Sequence, residues 1–160
     1  MSQELIEKIR NSSLSQDLTD EECTILAGIV SERNLNDDEI LIEEGHSDDC
    51  LYVVLHGKIG VTKQTGGGDE TTLHIMSKDE FAGQMGFVDG KHHTATLKAL
   101  GGAQVLALQR NDLESKLDSN PHLVYQIMRT VVRSGHDILR AMNNQYVELT
   151  NYITKTHGRY

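Results

Sequence analysis

Apolar residues recur along this chain with two different spacings, helical at both ends and strand-like in the middle. Residues 3–10 have the pattern of a short amphipathic helix. A second predicted helix has an apolar stripe made by Ile25, Leu26, Ile29 and Val30. Thr19 and Glu22 have the spacing of a capping box, so we expect the second helix to begin at Thr19.

From about residue 31 to residue 110, short apolar runs alternate with turn residues, which is typical of an antiparallel β-sandwich or barrel. The predicted strands are residues 40–42, 51–55, 59–61, 71–76, 94–100 and 104–108. Glycines separate these runs, and Gly66–Gly68 with Asp69 predicts the tip of a hairpin.

The helical spacing returns after residue 110. Asn111 and Glu114 have capping-box spacing, and Asn120-Pro121 places a capping residue before a proline at the first helical position. No proline follows, so we expect a final helix of about 35 residues and about 50 Å. We therefore divide the chain into N-terminal helices (1–30), a β core (31–110) and C-terminal helices (111–160).

The final helix has residues in the alternating 4-3 spacing of a coiled coil. The positions are Val124, Met128, Val131, Gly135, Ile138, Met142, Gln145, Leu149 and Tyr152. This seam favours a homodimer, and the expected interface residues are Val124, Met128, Val131, Gly135, Ile138, Met142 and Leu149. The alternative is a helix that packs only on its own β core.

Composition and charge argue against several classes of protein function. The chain has 15 Lys and Arg against 24 Asp and Glu, a net charge of −9, which argues against a DNA-binding surface. Its apolar runs are far shorter than the ~20 residues of a membrane span, and no signal-peptide pattern is present. We expect a cytoplasmic protein with neither nucleic acid nor a membrane as partner. Cys23 and Cys50 are expected to be free thiols, too few for a four-ligand metal site.

The segment from residue 81 to residue 96 is richest in residues suited to a binding site. Gly83 and Gly86 let backbone N–H groups approach an anion without a Cβ in the way. Lys91, His92 and His93 follow and can supply positive charge, and Thr94 can donate a hydroxyl. The segment is therefore a candidate phosphate cradle.

Two stretches resemble the cyclic-nucleotide-binding domain of the catabolite-activator type. Residues 51–61, LYVVLHGKIGV, resemble its strand hairpin, and residues 81–96 resemble its phosphate-binding cassette. The resemblance extends from about residue 14 to residue 153. It implies a mainly β protein, an antiparallel β jelly roll with N-terminal helices and a long C-terminal dimerisation helix. It also implies cyclic AMP or cyclic GMP as ligand, with no required cofactor.

The resemblance places the ligand contacts at substituted positions. The glutamate that binds the ribose falls at Gln84, and the arginine that pairs with the phosphate falls at His93, which lacks the guanidinium fork. The glycine that the family usually has ahead of the cassette phenylalanine is replaced here by Asp79, an acid expected near the entrance of the cradle. Base-contacting hydroxyls fall near Ile138 and Leu139, which cannot donate. The implied ligand-binding residues are Gly83, Gln84, Met85, Gly86, His93, Thr94 and Ala95.

We expect a sensor module that binds a small anionic ligand and signals through its homodimer to an unknown protein partner. We expect no helix-turn-helix domain to follow the long helix, and no Ser/His/Asp or Cys/His arrangement indicates an enzyme. One alternative is a degenerate domain that binds no nucleotide and acts as a dimeric adaptor. A lesser alternative is a cupin-like metal protein, for which His46-Ser47-Asp48 is the nearest motif.

Overall fold

The structure, a computed structural model, describes residues 2–157, with side chains described as far as Lys155. The helices are α1 (Gln3–Arg10), α2 (Asp20–Ala27), α3 (Gln84–Asp89), α4 (Arg110–Glu114) and α5 (Pro121–His157), with a 3-10 turn at Ser13–Ser15. The strands are β1 (Val30–Leu35), β2 (Ile40–Ile42), β3 (Cys50–His56), β4 (Ile59–Gln64), β5 (Glu70–Met76), β6 (Phe81–Ala82), β7 (Thr96–Ala99) and β8 (Ala103–Gln109).

The strands form two four-stranded sheets, in the orders β1-β8-β3-β6 and β2-β7-β4-β5. Every pair of neighbouring strands is antiparallel. Two antiparallel sheets with helices on one side confirm the predicted jelly roll with flanking helices. Gly68 donates its N–H to the Thr65 carbonyl in the turn between β4 and β5, so the predicted hairpin tip is also confirmed.

Strand β3 shows how the core is built. Its first five residues are buried, because helices cover one face of its sheet and the second sheet covers the other. Leu51 and Val53 belong to the cluster shared with the helices, whereas Tyr52 and Val54 belong to the cluster between the sheets. The side chains therefore alternate between two cores, as the pleat of a strand requires.

The N-terminal helices pack on the outer face of this first sheet. Ile9 and Leu26 are fully buried in the helix-side cluster. Thr19 caps α2: its hydroxyl accepts from the Glu22 N–H, and the Glu22 carboxylate accepts from the Thr19 N–H. The predicted capping box is confirmed.

Three elements differ from the sequence prediction. Strand β1 was not predicted, because its central residues are polar and it lies at a sheet edge, where it pairs with β8 alone. The two-residue strand β6 was not predicted as a strand, because its residues were assigned to the cassette as a whole. Helix α4 begins at Arg110 rather than after Asn111, and its N-cap Gln109 makes no side-chain capping bond.

Helix α5 has 37 residues and starts at Pro121, as predicted. Its first part packs on the molecule's own body, since Leu123, Ile127 and Val131 are buried in the helix-side cluster. From His136 to Lys155 every side chain is exposed. About 20 residues, or roughly 30 Å of helix, therefore extend beyond the β core.

Candidate functional site

The cassette is formed by β6, helix α3 and the loop 90–95 that leads to β7. Gly83 starts α3 with φ of +77°, and a Cβ built there would lie 2.4 Å from the Cys50 carbonyl oxygen. A Cβ on Gly86 would lie 2.9 Å from Cε1 of His93. The two glycines are therefore required by contacts within the chain itself and not only by the approach of an anion.

His93 lies under α3, and the exposed fraction of its side chain is only 10%. Its Nε2 is 2.9 Å from Oδ1 of Asp48, which lies in the loop between β2 and β3. The backbones of the two loops are also joined, because His93 donates its N–H to the His46 carbonyl and accepts from the Gly45 N–H, both at 2.8 Å. The residue expected to pair with a phosphate is thus already paired with a carboxylate.

Tyr52 completes this network from β3. Its buried hydroxyl donates to Oδ2 of Asp48 at 2.6 Å. Burial, together with this hydrogen bond, raises the pKa of Tyr52, so the phenol remains a donor. Asp48 is therefore held from two sides, by His93 and by Tyr52.

Gln84 connects the cassette to the long helix. Its Nε2 donates to Oγ of Ser134 on α5 at 2.7 Å. Ser134 stands three residues after the buried Val131, close to the point where α5 leaves the body. The ribose-binding position implied by the resemblance therefore makes a direct contact with α5.

The remaining expected ligand residues lie around these contacts. Met85 is 70% exposed, Thr94 is exposed and Ala95 is partly buried. Asp79, expected near the entrance of the cradle, instead directs its carboxylate to the N-terminal segment, where Oδ1 accepts from the Ser13 N–H at 2.9 Å. Its φ of +70° is the conformation that favours the glycine usual at this position.

Basic side chains around the cassette face carboxylates. Besides the His93–Asp48 pair, the ion pairs are Lys91–Asp89 (3.4 Å), Lys63–Glu44 (3.7 Å) and Arg110–Asp49 (2.6 Å). Lys63 also donates to the Thr94 carbonyl at 3.1 Å. The positive charge around the cassette is thus largely balanced within the chain.

Asp48 and Ser134 are direct partners of the cassette side chains that sequence reasoning missed. They lie 45 and 50 residues from the cassette side chains that they contact. No spacing pattern indicates Asp48. Ser134 follows Ile127 and Val131 at helical spacing, so the pattern could have placed it on the body-facing side of α5.

An apolar groove of about 210 Å³ lies behind α3, between that helix, α4 and α5. Its lining includes Phe87, Val88, Leu113, Leu117 and Met128. Phe87 is fully buried, whereas Val88 and Leu117 are about half exposed. The back of the cassette therefore borders α5 through apolar contacts as well as through Gln84.

The predicted seam of α5 is divided between the core and the solvent. Val124 and Val131 are buried in the molecule's own core, and Met128 packs partly against it. Gly135 is partly buried, and Ile138, Met142 and Leu149 are exposed. Two of the seven expected interface residues are therefore already covered by their own chain.

Cys23 and Cys50 are free and buried, and burial raises the pKa of both, that of Cys50 to about 11. Within the described part of the chain, no group of three or more His, Cys, Asp or Glu could hold a metal ion. In the same part, no helix is both long and apolar enough to cross a membrane.

The chain is similar to known proteins both in sequence and in structure. The "cAMP-dependent protein kinase regulatory subunit" of Dictyostelium discoideum is 26% identical over 111 residues, covering 68% of this chain and 33% of that subunit. A solved cyclic nucleotide-binding domain from Methylobacillus flagellatus superposes with a TM-score of 0.79 at 21% identity, covering 91% of this chain and 82% of that one.

A second solved structure is closer in sequence. It is the N-terminal domain of a transcriptional regulator from Streptomyces coelicolor, 31% identical with a TM-score of 0.71, covering 84% of this chain and 94% of that domain. The first three curated relatives are longer, and the match spans only 33% to 49% of their length. The model of the cyclic nucleotide-binding domain family matches residues 32–120, more than half of the chain. With the jelly roll, the cassette and the long helix in this order, the chain belongs to the cyclic nucleotide-binding domain family.

Proposed function

We propose that this chain is a regulatory module that binds a small cyclic nucleotide at its cassette and signals through a pair of α5 helices. The observation that carries this proposal is the 2.7 Å hydrogen bond between Gln84 and Ser134, because it joins the ligand position directly to α5. A ligand that forms a hydrogen bond with the Gln84 amide in place of Ser134 changes the contacts of α5 in the same step. Family membership supports the class of ligand.

Binding requires an exchange of contacts. A cyclic phosphate that reaches His93 replaces the Asp48 carboxylate, and a ribose hydroxyl that reaches Gln84 replaces Ser134. Without the arginine fork, the site lacks a charged bidentate contact worth about 1.5–3 kcal/mol. We therefore expect an affinity roughly ten- to a hundredfold weaker than that of a cassette with arginine.

The test is calorimetric titration of the purified protein with cyclic AMP and cyclic GMP at pH 6 and pH 8. Micromolar binding of either nucleotide supports the proposal. Absence of binding up to millimolar nucleotide at both pH values overturns the ligand part of the proposal.

The second candidate function is a dimeric adaptor that binds no nucleotide. It is favoured by the ion pairs of the cassette, in which His93, Lys91, Lys63 and Arg110 each face a carboxylate. The adaptor predicts a dimer whose dissociation constant does not change when nucleotide is added. Sedimentation with and without 1 mM cyclic AMP, roughly a hundred times a 10 µM Kd, separates the two functions.

The family match replaces the cupin-like alternative. The absence of enzymatic activity, of a nucleic-acid partner and of a DNA-binding output stays a prediction, as does the cytoplasmic location. The homodimer is likewise proposed.

A further inference from the structure

The four basic side chains with ion pairs around the cassette differ in how closely a carboxylate holds each of them. The distances to the carboxylate oxygen are 2.6 Å for Arg110, 2.9 Å for His93, 3.4 Å for Lys91 and 3.7 Å for Lys63. Arg110 and His93 are at hydrogen-bond distance, whereas the Lys63 ammonium is too far from its carboxylate for a hydrogen bond. An anion therefore displaces the weakest carboxylate contact at Lys63.

The positions of the other three side chains also make them less suitable for an incoming anion. Arg110 lies behind α3, where it lines the apolar groove. Lys91 pairs with Asp89 at the C-terminal end of α3, the end opposite to Gln84, and is 82% exposed. His93 is only 10% exposed and already has a carboxylate partner. Lys63, by contrast, lies on the far side of the loop from α3, on a strand of the β core.

Strand β4 directs Lys63 to the cassette. Side chains alternate along a strand, so Lys63 lies on the same face as Val61, which packs against the core between the sheets. Thr62 is the last residue of β4 that pairs with β7, opposite Thr96. Lys63 therefore extends past the start of β7, beside the cassette loop 90–95.

The contacts of the Lys63 ammonium place it at the cassette. Its Nζ donates to the Thr94 carbonyl oxygen at 3.1 Å, one residue along the loop from His93. Its side chain is 49% exposed, so the ammonium is also open to solvent. The ammonium is thus held beside two of the residues expected to bind the phosphate.

We propose that Lys63 is a further ligand-binding residue, whose ammonium contacts the phosphate of the nucleotide in place of the missing arginine. This inference rests on the proposed function and names a side chain that carries the positive charge of the site. An ammonium has three donors, so Lys63 can keep its bond to the Thr94 carbonyl while it donates to a phosphate oxygen. The contact that it gives up is the longer one, to Glu44.

Three single substitutions test the role of Lys63. Lys63→Gln removes the ammonium, Lys63→Arg keeps a positive charge, and Lys58→Gln removes the same charge from the exposed turn before β4. By calorimetric titration with cyclic AMP and cyclic GMP, we expect Lys63→Gln to raise the Kd at least about tenfold, because a charge-assisted hydrogen bond is lost. Lys63→Arg should stay within about threefold of the native Kd, and Lys58→Gln within about twofold.

Titration at low and at high salt adds a readout that a merely structural role would not change. The Kd of Lys63→Gln should depend less on salt than the native Kd, because one charged contact to the phosphate is missing. Lys63 is half exposed, so thermal unfolding of Lys63→Gln and Lys58→Gln should be similar.

The outcomes separate this inference from the proposed function. A native protein that binds neither nucleotide up to millimolar concentration overturns both. Native binding that Lys63→Gln leaves unchanged, or that Lys58→Gln weakens equally, overturns the role of Lys63 and leaves the proposed function standing. A loss in Lys63→Arg as large as that in Lys63→Gln also contradicts a role that depends on the positive charge.

Discussion

At the scale of single residues, the cassette is defined by the partners that its polar side chains already have. His93 faces Asp48, and Gln84 reaches Ser134. The two side chains expected to bind the ribose and the phosphate therefore already have hydrogen-bond partners within the chain. Under the proposed function, an anion that reaches His93 must compete with Asp48.

Asp48→Asn removes the charge that faces His93. We expect the affinity for cyclic AMP, measured by calorimetry at pH 6, to rise about tenfold, because the phosphate no longer displaces a carboxylate. Asp69→Asn removes the same charge at the exposed hairpin tip and serves as the control. Equal affinities of the native protein and Asp48→Asn, where the native protein binds measurably, would show that the phosphate does not reach His93.

Gly83 is the residue on which the conformation of the cassette depends most directly. Gly83→Ala puts a Cβ 2.4 Å from the Cys50 carbonyl oxygen at a φ of +77°, so we expect a loss of about 1–3 kcal/mol of unfolding free energy. Urea denaturation measures it. Gly66→Ala is the matched control, since a Cβ there meets nothing within 4 Å, and a similar loss in both variants would contradict the argument.

At the scale of elements, the boundaries of helices depend on local bonds that a sequence reveals well. Thr19→Ala removes the hydroxyl that accepts from the Glu22 N–H, and we expect it to lower the unfolding free energy by about 1 kcal/mol. Thr24→Ala, within the same helix, removes a hydroxyl that only bonds back to Asp20 and should cost less than about 0.3 kcal/mol. Thermal unfolding of the two variants compares them, and equal losses would argue against the cap.

Elements were predictable where a local pattern produces them. Strands β2 to β5 have apolar runs and glycine turns, and the start of α5 has Asn120-Pro121. Strand β1 has a polar middle because it lies at a sheet edge. The partners Asp48 and Ser134 come from chain segments far from the cassette, and only the folded topology brings them there. Spacing alone also could not show that the β core covers Val124 and Val131 of the predicted seam.

At the scale of the whole molecule, α2 and the start of α5 are joined by His122 and Glu22, whose Nδ1 and Oε1 lie 2.5 Å apart. Burial opposes the ionisation of Glu22, but bonds from the Thr19 N–H, His122 and the Thr19 hydroxyl outweigh it and lower its pKa. The same balance holds for Glu80, where burial is outweighed by His74 and the Ser77 N–H. Both carboxylates therefore favour the folded state when they are ionised.

The sign of the pH dependence follows from these lowered values. The two carboxylates contribute fully to the unfolding free energy above their ordinary pKa, near 4.5. This contribution is lost as the pH falls through their lower pKa values in the folded state. We expect the unfolding free energy, measured in urea between pH 7 and pH 3, to fall below about pH 4.5. In the double variant Glu22→Gln/Glu80→Gln, the unfolding free energy should fall less steeply over this pH range. A slope identical to that of the native protein would exclude these two groups as the source of the pH dependence.

The free length of α5 makes it a lever. The Gln84–Ser134 bond lies near the point where α5 leaves the body, and about 30 Å of continuous helix extends past that point. A tilt of about 5° at Ser134 displaces the far end by roughly 2–3 Å, about as much as the length of the bond that restrains it. Under the proposed function, exchange of this one hydrogen bond would therefore move the far end of α5 by about the length of a side-chain contact.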